Sequence, residues 1–125
     1  MIYTLMIPQA FPGMNQFIGA INRNRFVGAR MKADAEAVAR VMIRKDLKGV
    51  KITRPVILHY RYFEENRRRD LDNIAGFAHK VIQDALVREG VLENDGWKQV
   101  KGFTDTFYID KDCPRILLKI EEIED

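Results

Sequence analysis

An α+β fold, one mixed sheet with two packed helices, is what the order of elements in this 125-residue chain predicts. Three observations carry that expectation. Two β-branched or aromatic runs lie well apart in the first half, helix-spaced alanine- and valine-rich segments follow each of them, and two further extended runs close the chain. The order reads β-α-β-α-β-β. With 46% hydrophobic and 31% charged residues, the composition suits a single domain, residues 1 to 125, with an ordinary core.

The first strand, "IYTLMIP", ends where Pro8 and "FPGMNQ" impose turn chemistry. The next stretch, "FIGAINRNRFVGARM", mixes glycine, asparagine and arginine without sustained periodicity and reads as a mobile basic loop. A helix is expected over "ADAEAVARVMIRKDLKG". Its apolar residues are Ala37, Val38, Val41 and Met42, Asp34 and Glu36 suit its positive N-terminal end, and Gly49 is its stop. "RPVILHYRYFEE" has the composition of a strand. In "NIAGFAHKVIQDALVREG", Ile74, Ala78, Val81, Ile82 and Ala85 recur at helical spacing before Gly90. "WKQVKGFTDTFYID" and "PRILLKIEEIE" read as strands, and the short link through Lys111 and Asp112 predicts that they are antiparallel.

Several classes are excluded by composition. No apolar run approaches the roughly 20 residues of a membrane span, and "MIYTLMIPQAF" lacks the basic flank and cleavage site of a signal peptide. A cytoplasmic protein without a membrane partner is expected. Cys113 is the sole cysteine, so no internal disulfide is possible, and His59 and His79 are too isolated for zinc-ligand spacing. Any metal site must therefore use oxygen ligands. The net charge of +3 becomes +7 once the acids Glu121, Glu122, Glu124 and Asp125 are set aside. No acid precedes Asp34, while Arg23, Arg25, Arg30 and Lys32 crowd one segment, the kind of patch that binds phosphates.

The chemistry concentrates in "RRRDLDN", residues 67 to 73, between the expected second strand and second helix. Asp70 and Asp72 lie two apart and share a face if the extended backbone continues, where they repel unless a cation or proton intervenes. A salt-bridged turn, or a helix cap at Asp72 or Asn73, explains part of the pattern without any function. Farther on, Lys80 and Asp84 are one helical turn apart, which also describes an ordinary surface pair. Asp95 sits in the turn "LENDGW", where Asn, Asp and Gly are expected on conformational grounds alone.

Taken together, "RRRDLDN", "KVIQDAL" and "NDGWKQV", with "FPGMNQ" near the start, resemble the RusA family of Holliday junction resolvases. The resemblance implies a metal-dependent endodeoxyribonuclease that cuts four-way DNA junctions by paired hydrolysis. By motif, Asp70, Asp72 and Asp95 would be catalytic and hold Mg²⁺ or Mn²⁺, and Lys80 would support catalysis. Hydrolysis of a phosphodiester by such a set needs a hard cation, because all its ligands are carboxylates. Arg67, Arg68 and Arg69 would clamp phosphates, with Arg23, Arg25, Arg30 and Lys32 along a DNA arm, and Asp84 would support the site or hold Lys80. The sequence departs from the pattern twice. The family's lysine falls nearer the D-x-D-N motif, at the position of Gly76, and the first acid of the later pair is Asn94. A two-fold junction cut twice implies a homodimer. Cleavage of other branched or flap DNA, a non-catalytic nucleic-acid-binding module, and a phosphohydrolase of other substrates or a purely structural protein are the competing readings.

Overall fold

The computed structural model describes residues 1 to 124. The chain runs β1 (Ile2–Ile7), α1 (Met14–Arg23), α2 (Arg25–Asp46), β2 (Val56–Glu64), α3 (Leu71–Arg88), β3 (Val100–Ile109) and β4 (Arg115–Glu122). The four strands form one mixed sheet in the order β1-β4-β2-β3. The α+β class holds, with three helices in place of the expected two.

Alternation along the strands decides which face is covered. Leu58, Tyr60 and Tyr62 of β2, Leu5 and Ile7 of β1, and Ile116, Leu118 and Ile120 of β4 join one core with the buried faces of the helices. Outward-facing residues such as Thr4, His59, Arg61, Thr104 and Lys119 line a hollow on the opposite face, bordered by Asp46 at the end of α2. That hollow contains none of the motif residues.

The link through Lys111 and Asp112 does reverse the chain direction, but β3 and β4 are not neighbours. Strand β2 lies between them, antiparallel to β4 and parallel to β3. The parallel β2-α3-β3 unit explains this: helix α3 carries the chain back so that β3 lies beside β2, and β4 must then take the other edge.

The larger correction falls on the expected mobile basic loop, which is helical. Arg23 ends α1, and Arg25 and Arg30 lie in the first turns of α2. Asn24 separates the two helices, and its side chain accepts the Phe26 N–H at 2.8 Å, capping α2. Gly28 permits the close crossing, since a Cβ there would collide with Ile21. Starting earlier also resets the face of α2. Its buried stripe is Ala35, Ala39 and Ile43, whereas Ala37 and Val41 are exposed and Val38 and Met42 half-buried. Small residues at four-residue spacing let α2 lie close to α3 and β1.

The expected stripe of α3 is buried as read, with Phe77 and Leu86 added to it. The Gly49 and Gly90 stops both adopt positive φ, at 73° and 76°.

Candidate active site

Asp70 is the N-cap of α3, and Asp72 lies in its first turn. The Asp70 side chain makes no capping bond, and Asp72 bonds only the adjacent Asn73 N–H, at 2.9 Å. Both carboxylates are exposed, and neither has a cationic partner among the described residues. The cap expected at Asp72 or Asn73 is therefore corrected: α3 starts earlier, at Leu71, so both residues lie inside its first turn and the N-cap position falls to Asp70.

Asn73 has a different task. Its Oδ1 accepts the Asn15 N–H at 2.7 Å, supplying from α3 the cap that α1 lacks, since Gly13 carries no side chain. A Cβ at residue 13 would lie 2.6 Å from that same Oδ1. Thus "FPGMNQ" and "DLDN" meet in space: glycine in one makes room for the asparagine of the other.

The three arginines divide. Arg69 spans Glu64 Oε1, at 2.7 Å, and the Phe11 carbonyl, at 2.9 Å, bracing the end of β2 against the loop after β1. It is not a free phosphate clamp, because the buried Glu64 requires a partner. Arg67 and Arg68 are exposed and unpaired among the described residues.

The pair expected on α3 is also divided. Asp84 binds Lys32 of α2 at 2.6 Å, so it does not hold Lys80, and Lys32 is withdrawn from the basic patch. Both belong to a seam that continues with Glu36–Arg88 and with Glu89 between Arg40 and Arg44. Lys80 is exposed without an acidic partner among the described residues. It lies about 12 Å beyond Asp72 along the helix and about 80° around it.

Asp95 follows the C-terminal end of α3, whereas Asp70 and Asp72 stand at the other end of a helix about 27 Å long. Among the described residues, no three His, Cys, Asp or Glu side chains are grouped to hold a metal ion. The expected convergence of Asp70, Asp72 and Asp95 into one three-ligand cage is not seen. The donor type still fits a hard cation. Mg²⁺ commonly takes one or two protein carboxylates and completes its shell with water and substrate phosphate, so Asp70 and Asp72 are the residues that would hold it.

A polar cluster that sequence reasoning left aside occupies the seam between α3 and β3. His79 Nε2 and the Tyr62 hydroxyl both reach Asp105 Oδ1, at 2.7 and 2.8 Å. The His79 ring stacks on Tyr60, with centroids 4.4 Å apart, and Gln83 donates to the Tyr60 hydroxyl at 3.3 Å. Burial, with the Asp105 charge beside it, holds the Tyr62 phenol well above its usual range, so its proton remains to be donated. Burial raises Tyr60 likewise, and the charges of Asp105 and Asp95 add to that. Asp95 therefore lies close enough to be felt in this cluster. His79 comes seven residues after Asp72 and so lies on nearly the same helix face, two turns along. Helical phase could have marked it, but Asp105 joins through strand register, which is not written in local spacing.

Beside Asp70 opens a cavity of about 630 Å³ that also involves Asn66, Arg67, Leu71, Ile74 and the end of β3. No protein-family model matches the chain, and no curated protein matches it.

Proposed function

We propose that the protein is a metal-dependent endonuclease of branched DNA, with the four-way junction as its substrate and RusA-like motifs as its signature. One contrast carries the reading. Within a single segment Arg69 is consumed by the fold, while Arg67, Arg68, Asp70 and Asp72 are left exposed and without a charged partner among the described residues. Charges of both signs kept free side by side suit a phosphate backbone and the cation that lets carboxylates approach it.

A Mg²⁺ or Mn²⁺ ion held by Asp70 and Asp72 would neutralise phosphate charge and acidify bound water. Arg67 and Arg68 grip the phosphates on either side, positioning the strand without reading its sequence. Lys80 serves as a hydrogen-bond donor to a phosphate oxygen, a point charge rather than a base. Arg23, Arg25 and Arg30, exposed on α1 and α2, extend the electropositive surface for a DNA arm. One site per chain and a two-fold substrate call for a homodimer, measurable by sedimentation. Among the described residues no helix is long and apolar enough to cross a membrane. On this reading the protein acts in the cytoplasm, where it meets its DNA substrate.

A labelled four-way junction tests the reading. Wild type with Mg²⁺ is expected to give paired symmetric nicks, and chelation to abolish them. Asp72→Asn should lower the rate by more than about 100-fold, beyond what loss of a supporting contact costs. Equal cutting of flaps and linear duplex would remove the junction specificity. Binding without cutting in any divalent ion would leave a binding module.

A further inference from the structure

We propose that the cavity beside Asp70 receives an unstacked nucleobase from a nucleotide next to the cleaved phosphate. The inference rests on the nuclease reading and assigns that site a base-recognition pocket. Its lining is mixed and open: Leu71, 57% exposed, and Ile109, 48% exposed, border the hollow with Ile74 and Phe107, while Arg67 and Asp70 belong to its charged side. Exposed apolar side chains in a hollow that is charged on its other side suit a ligand with a flat apolar face and polar edges. Phe107 is packed against Tyr62, with ring centroids 4.9 Å apart and an interplanar angle of 16°, so this wall is formed before anything binds.

The rim supplies the complementary charge and a polar reader. Arg67 lines the cavity and is exposed without an ion-pair partner among the described residues, which suits the phosphate attached to the base. Asn66 Oδ1 accepts the Arg68 N–H at 3.0 Å, which fixes the amide. Its Nδ2 has no hydrogen-bond partner among the described residues and remains a donor for an acceptor on a base edge. A slot with one apolar side, a cation and an oriented amide together match a nucleotide rather than a bare phosphate or an aliphatic ligand. A base inside a duplex cannot enter such a slot, but unstacking costs least where pairing or stacking is already interrupted, as at a branch point. The pocket thus gives one site a reason to prefer branched DNA and to cut beside particular bases.

The test uses the full chain and a junction with 2-aminopurine placed in turn at each nucleotide around the branch point, first without divalent metal so that nothing is cut. With wild type, fluorescence at one position is expected to change on binding. Ile109→Ser should remove that response and weaken binding roughly tenfold, the scale of losing one base-packing contact. Ile109→Leu should restore both. With Mg²⁺ added, an abasic nucleotide at the responding position should slow cutting by wild type about tenfold and leave Ile109→Ser unaffected. Should Ile109→Ser misfold by circular dichroism, Asn66→Ala takes its place, with the same loss of base response expected. A wild type that cuts the junction while no position responds overturns the pocket alone, as does a variant that cuts the same nucleotides at the same rate. A wild type that cuts no branched DNA overturns both readings.

Discussion

Neighbouring arginines in one run have unrelated fates, and the difference is measurable. Arg69 neutralises Glu64, a buried carboxylate, and also satisfies the Phe11 carbonyl. Arg69→Ala leaves that charge without its partner and should lower unfolding free energy by roughly 2–3 kcal/mol, readable by urea titration. Arg68→Ala removes no contact of its side chain and should melt like wild type. On junction DNA the expectation reverses: Arg68→Ala weakens binding and makes the salt dependence of log K shallower by about one, the signature of one lost phosphate contact. An unchanged salt slope for Arg68→Ala would remove it from the interface. Asp84 and Lys32 teach the same lesson, since the residues that complete a half-exposed pair across two helices are unavailable to DNA or to Lys80.

At the scale of elements, the motif is held in place by an exchange between α1 and α3. Asn73 caps α1, and Gly13 vacates the space that the asparagine fills. Asn73→Ala is expected to cost about 1 kcal/mol, as the loss of a helix cap does, and to raise hydrogen exchange in the first turn of α1. Gly13→Ala should cost at least as much, because the new Cβ displaces the same side chain; a Gly13→Ala protein as stable as wild type would show that the cap is not made. Elements whose signals are local were legible in the sequence: β1, β2 and α3 carry clear alternation or helical phase with glycine or proline punctuation. The helical character of residues 17 to 31 was not, because its glycines and asparagines lower intrinsic propensity and only tertiary contacts, such as Gly28 against Ile21, override it. The site was legible in the same uneven way. Asp70, Asp72 and the free arginines follow from one contiguous run, whereas the distance of Asp95 from them depends on the length and path of α3, and the His79–Asp105–Tyr62 cluster depends on strand register.

For the molecule as a whole, the seam between α2 and α3 contributes to the response to acid through Glu89. Glu89 ends α3, where the helix dipole disfavours a negative charge, yet it is largely buried and accepts hydrogen bonds from Arg40 at 2.6 Å and Arg44 at 2.8 and 3.0 Å. The Arg44 and then the Arg40 guanidinium hold its carboxyl down at about 2, against an ordinary value of 4.5. A group with a depressed native pKa binds fewer protons folded than unfolded. Its contribution is therefore full above pH 4.5, falls as the unfolded chain begins to hold the proton, and is gone once pH passes through about 2. Glu89→Gln removes the charge at every pH. Its melting temperature should lie below that of wild type at pH 7, and the two should converge between about pH 5 and pH 2 as wild type loses the same interaction. Melting curves that stay a constant distance apart through that window would assign acid sensitivity to other carboxylates.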